Sequence, residues 1–101
     1  MISATEALKI SEKTALKVKE TEEFKYAMMV IEKNIKENAK AGRFEFSYNK
    51  CALVKNCEKY SPSSAVLAAI KHECEENGYY FTEYYNMNRA GFYNSCFKVS
   101  W

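Results

Sequence analysis

The chain contains no aspartate and no glutamine, one histidine (His72), one proline (Pro62) and three glycines. Its 13 acidic residues are therefore all glutamates. These absences exclude aspartate-rich calcium loops, magnesium sites held by a Walker-B aspartate, and Ser-His-Asp triads. Gly42, Gly78 and Gly91 stand far apart, so there is neither a phosphate-cradling loop nor a dinucleotide fingerprint. No apolar run reaches the roughly 18 residues that a membrane-spanning helix needs. The opening MISATEALKISEK has no hydrophobic signal core. On that ground Cys51, Cys57, Cys74 and Cys96 are expected to be thiols in a reducing, cytoplasmic compartment.

What remains is ordinary for a folded chain of 101 residues, with 48% apolar, 28% charged and 15% aromatic residues. A chain of this length makes one domain, with a core formed by burying roughly 60–65% of its unfolded surface. The formal charge of +2 is far from a nucleic-acid-binding extreme.

The pattern along the chain alternates between helix and strand signals. Ser3 and Glu6 form a capping box, with Ile2 at the staple position. Ala4, Ala7, Leu8, Ser11, Ala15 and Val18 follow on one face, a stripe of mostly small residues. A second helical stripe runs through Phe24, Ala27, Met28, Ile31, Ile35 and Ala39. The two stripes are out of phase by far more than the ~60° that periodicity drift allows over about twenty residues. This predicts a break at Lys19–Thr21, with Thr21 as the second cap and Glu22 and Glu23 in its first turn. Gly42 ends the second helix. Arg43 to Tyr48 alternates as a strand, with Phe44, Phe46 and Tyr48 on one face. Asn49 to Tyr60 either extends that strand or holds a short helical turn around Ala52–Val54. Ser61-Pro62 predicts the next helix start, with serine as cap and proline first. Val66, Leu67, Ile70 and Cys74 form its buried stripe, and Asn77-Gly78 closes it. Tyr79–Asn86 and Phe92–Trp101 read as antiparallel strands around a Met87–Gly91 turn. On the last strand Tyr93, Phe97, Val99 and Trp101 share a face.

The expected architecture is one α+β domain over residues 1–101, in the order α-α-β-α-β-β. Its helices would pack on one face of a small, mainly antiparallel three-stranded sheet.

The segments ISATEALKISE, VIEKNIKENAKAGRFEFSY, ENGYYF and FKVSW together resemble a layout found in small uncharacterised proteins encoded by bacteriophages and prophages. Those proteins run from a helical start through a glycine-to-strand junction and a helix-GY-strand junction to a terminal strand ending in Trp. The resemblance implies a phage origin and a cytoplasmic setting in a bacterial host. It carries no site residues across, and the stretch between Tyr48 and Ser61 is not part of it.

Four constellations have the residue types for function. The four cysteines and His72 have the ligand chemistry for zinc, but His72 and Cys74 are two apart on a helix and point ~200° from one another. Cysteine, His72 and a glutamate or asparagine would serve nucleophilic catalysis, yet none sits in a recognisable local context. No catalytic residue, metal ligand or cofactor is therefore assigned. The aromatic residues crowd into the last two strands. One sheet face must meet the helices, and the other would expose Tyr80 and Tyr84, or Tyr79 and Tyr85, depending on register. Exposed tyrosines suit protein contact and would also stack on bases. Lys9, Lys13 and Lys17 form a row on the first helix that would meet phosphates, an acidic partner, or solvent. The expected function is a non-enzymatic accessory role through protein binding or self-assembly, with a host protein or a second copy as partner and dimerisation expected. The alternative is a module for a nucleotide or single-stranded nucleic acid.

Overall fold

The computed structural model describes the backbone of residues 1–101, and every side chain but that of Cys57. The elements are α1 (Ala4–Val18), α2 (Glu22–Lys40), β1 (Glu45–Asn49), two short 3₁₀ turns (Lys50–Leu53 and Lys55–Cys57), α3 (Ser64–Glu76), β2 (Tyr80–Met87) and β3 (Tyr93–Ser100). The fold is α+β in the expected order.

The helix ends follow from capping chemistry. Ser3 Oγ accepts from the Glu6 N–H at 3.2 Å, and Thr21 Oγ1 accepts from the Phe24 N–H at 3.3 Å. Thr21 also donates to the Val18 carbonyl at 2.6 Å, so one side chain stops α1 and starts α2. The break thus falls where the phase jump places it. α2 and α3 end alike. Gly42 and Gly78 take φ of 79° and 84°, and the residues after them, Arg43 and Tyr79, donate back to the Asn38 and Cys74 carbonyls at 2.9 Å. This is the Schellman closure, and its left-handed residue is nearly always glycine.

One helix boundary differs from the expected one, and β1 starts at Glu45, two residues after the expected Arg43. α3 is capped by Ser63, whose Oγ accepts from the Val66 N–H at 3.4 Å, two residues later than Ser61-Pro62 predicts. Pro62 is buried just before the cap, and the Ser63 N–H donates to Glu23 Oε1 at 3.3 Å, anchoring the start of α3 to α2. Ala69 is fully buried on α3 in the place expected of Leu67, which is only half-buried.

The sheet order is β1-β3-β2, all antiparallel, with β3 in the centre. Phe46, Phe81, Phe97 and Val99 form its inner face and pack against Phe24, Ala27 and Ile31 of α2 and Val66, Ala69, Ile70 and Cys74 of α3. The stretch between β1 and α3 joins the core too: Leu53, on the first 3₁₀ turn, is fully buried among these residues.

α1 is the outlier. It buries no residue completely and packs on α3 through half-buried Ala15 and Val18. Leu8, Ile10 and Leu16 stay exposed. A polar clasp supplements this thin apolar contact. Lys19 Nζ pairs with Glu73 at 2.8 Å and with Glu76 at 3.9 Å, and donates to His72 Nδ1 at 3.2 Å. His72 Nε2 in turn meets Glu76 at 3.3 Å. The hydrogen bond from Lys19 holds the Glu73 carboxyl below its ordinary value of 4.5, against a smaller opposing effect of burial. A depressed carboxyl stabilises the docked helix above its unfolded value, and the gain is lost as pH falls through the folded value. Lys19→Met is therefore expected to raise amide exchange within α1 by a factor of roughly 2–5, matching the ~0.5–1 kcal/mol of a surface pair. Acidification through the lowered Glu73 value should produce the same loosening in the native chain, read as a fall in α1 protection factors with those of α2 and β3 unchanged. Exchange in α1 that ignores both the substitution and pH would refute the clasp.

Candidate protein-binding surface

β2 outreaches α3, the helix packed against it. α3 has 13 residues and spans ~20 Å, whereas the 8 residues of β2 span ~27 Å. The first row of the inner face, Phe46, Val99 and Phe81, is covered, and in the next row Phe97 is buried between exposed Tyr48 and Glu83. Lys50, buried at the start of the first 3₁₀ turn, closes this covered zone by pairing with Glu83 at 3.3 Å. Beyond that pair β1 has ended, since its last residue Asn49 lies opposite Cys96. From there the β2–β3 hairpin continues as a two-stranded ribbon whose inner-face Tyr85, Met87 and Tyr93 are exposed.

That overhang carries large apolar side chains. Tyr85 is 74% exposed, Met87 58% and Tyr93 71%, and all three share the inner face, with Met87 directly opposite Tyr93. Phe92, at the turn, is 70% exposed. The turn itself is braced. Asn88 Oδ1 accepts from the N–H groups of Ala90 and Phe92, both at 3.0 Å, the Asn88 N–H donates to the Phe92 carbonyl at 2.9 Å, and Gly91 supplies a φ of 84°. The apolar residues at the tip are thus presented on a preformed frame, which lowers the entropy cost of contact.

The four tyrosines read from the sequence separate into three environments. Tyr80 and Tyr84 lie on the outer face, as one of the two expected registers requires. Apart from buried Cys96 opposite Tyr84, that face is polar, with Glu45, Ser47, Lys98, Thr82 and Asn86 alternating against the core residues. Tyr85 is on the opposite face and is exposed only because the helices stop short of it. Tyr79 is not a surface residue of the strand. It is half-buried at the end of α3, edge-on to Trp101 at 6.2 Å, and lines a cleft of about 340 Å³ with Met28, Ile35 and Cys74. Lys9, Lys13 and Lys17 are exposed on α1, an element docked on α3 and separate from the hairpin. Met87, Phe92 and Tyr93 escape sequence reasoning as surface candidates. The signal that would have found them is strand length compared with helix length.

Cys74 and Cys96 are placed as packing groups. Cys74 is buried, and burial, with Glu73 and Glu75 nearby, pushes its thiol up to about 11, so it is not a ready nucleophile at neutral pH. Cys96 is buried on the outer face and its thiol donates to Asn49 Oδ1 at 3.2 Å. His72 faces Lys19 and Glu76 and not a thiol. Among the described residues no three His, Cys or Glu side chains converge as metal ligands, and the part of Cys57 in such a set lies outside the described residues. Among the described residues, too, no helix is long and apolar enough to cross a membrane. Comparison with known proteins finds no matching family model, no similar curated protein and no similar solved structure.

Proposed function

We propose that this chain is a non-enzymatic accessory protein of phage or prophage type that works by contact with other protein in the cytoplasm of a bacterial host. The overhanging hairpin is its contact surface. The observation that carries this reading is the row of exposed Tyr85, Met87, Phe92 and Tyr93 on a braced two-stranded ribbon beyond the helices. Tyrosine and methionine are enriched where proteins meet, and tyrosine gives large contact area at low conformational cost. The layout resemblance supports the phage setting.

The test is capture from bacterial lysate by the tagged chain, by a Phe92→Ser/Tyr93→Ser variant, and by a Lys9→Glu/Lys13→Glu/Lys17→Glu variant. The expected result is a defined set of proteins lost at least tenfold with the hairpin variant and retained with the lysine variant. A protein set that both variants retain would overturn the proposal. So would recovery of nucleic acid in a salt-sensitive manner through the lysine row.

A further inference from the structure

The outer edge of β2 is the second unusual feature of the hairpin. The bond from the Asn88 N–H to the Phe92 carbonyl marks that pair as a hydrogen-bonded one. Hydrogen-bonded and non-hydrogen-bonded pairs alternate along an antiparallel ladder. Asn86, Tyr84, Thr82 and Tyr80 therefore turn their main-chain groups toward β3. Phe81, Glu83, Tyr85 and Met87 turn theirs away, and in the order β1-β3-β2 no strand of the described residues pairs on that side.

Proteins commonly blunt such an edge with lysine, proline, a bulge or brevity. β1, the other edge, is short at 5 residues and carries Glu45 paired with Lys98. β2 has none of these devices. It runs 8 residues in unbroken register without lysine, proline or glycine. Its one charge, Glu83, is countered from within by Lys50.

We infer that a second copy of the chain pairs with this edge, antiparallel to it, about a two-fold axis through Tyr84. The inference rests on the reading of the hairpin as a protein-contact surface and names its occupant. The axis follows from the pattern of main-chain groups. About Tyr84, Phe81 meets Met87 of the second copy and Glu83 meets its Tyr85, so all four outward-turned residues find partners. An axis at Glu83 sets two glutamates face to face, and one at Tyr85 leaves Phe81 unpaired at the strand end. In the favoured register the uncovered half of each strand lies beside the covered half of the other. The edge also has enough surface to pair. Tyr80, Tyr84, Tyr85 and Met87, exposed at 72%, 37%, 74% and 58%, offer roughly 500 Å² at ~200 Å² per full side chain. With the main chain this reaches ~600 Å² per copy, half the ~1,200 Å² total at which stable interfaces begin.

The test is sedimentation over a micromolar concentration range. The native chain should reach twice its 11.7 kDa mass. Tyr85→Pro removes an outward N–H that the chain's own ladder does not use, a position where proline is tolerated, and should sediment as the single chain. If circular dichroism finds that variant unfolded, Met87→Pro makes the same test at the next outward position. Tyr84→Cys should give a disulfide-linked dimer on mild oxidation, because a non-hydrogen-bonded cross-strand pair sets Cβ atoms ~4.5–5.5 Å apart. Tyr80→Cys, away from the axis, should not. A single-chain mass at every concentration would overturn the inference while leaving the hairpin open to a foreign protein, which the lysate capture decides separately. A dimer that survives Tyr85→Pro but dissociates with Ala7→Glu and Ala15→Glu would place the interface on α1 and overturn it as well.

Discussion

Replacing Phe97 with alanine is expected to lower the unfolding free energy by about 3–5 kcal/mol, the range for large-to-small changes at buried aromatic positions. Phe97 is fully buried on the central strand. It stacks on Phe81 with ring centroids 5.8 Å apart and meets Phe46 edge-on, also at 5.8 Å. Both neighbouring strands therefore lose an aromatic partner at once. A chain of this length has roughly 5–15 kcal/mol of stability in all, so the variant should be partly unfolded at 37 °C or fail to accumulate. Urea unfolding followed by tryptophan fluorescence is the measurement. A shift below about 1 kcal/mol would mean that the three-ring stack is not the centre of the fold.

Leu53→Ala is expected to cost about 2–5 kcal/mol. This prediction concerns the stretch between β1 and α3, which reads from sequence as an insertion. Leu53 is fully buried against the core cluster, and Val54 beside it is buried as well. The 3₁₀ turn that carries Leu53 thus closes one end of the core, as a helix would elsewhere. The comparison is with Tyr60→Ala in the same stretch. Tyr60 is fully exposed, and its replacement should stay within ~0.5 kcal/mol of the native chain, as surface changes usually do. Equal, small effects at the two positions would make the stretch a dispensable loop.

Local chemistry made much of the fold legible. The Ser3 and Thr21 caps, the Gly42 and Gly78 closures and the phase jump between α1 and α2 are short-range features, decided by residues three to six apart. The start of α3 was not, because Ser61-Pro62-Ser63 offers two caps with equal local merit. A contact from Glu23, forty positions away, accompanies the choice of Ser63. The burial of Leu53 was illegible for the same reason: the short apolar run Cys51–Val54, between Lys50 and Lys55, is too brief to show a periodicity. At the hairpin, alternation separated Tyr80 and Tyr84 from Phe81, but exposure depends on where the neighbouring helices stop. Tyr85 thus has a core residue's facing and a surface residue's environment, while Tyr79, of the same parity but ahead of the strand, is half-buried beside Trp101 after the Schellman turn.

The position of β3 has a consequence for the order of events during synthesis. The last strand to be made is the middle one, pairing Glu45 with Ser100 on one side and Tyr80 with the same residue on the other. β1 and β2 are not neighbours, so neither has its sheet partner until residues 93–100 have left the ribosome. Until then a nascent chain holds helices whose apolar stripes face an unassembled sheet, with Phe46 and Phe81 uncovered. Such non-local closure is slow, and the waiting state is the kind that chaperones bind. Chains stalled at Met87 should therefore be protease-sensitive throughout, and extension by the thirteen residues to Ser100 should convert them together, without a stage in which two strands are already paired.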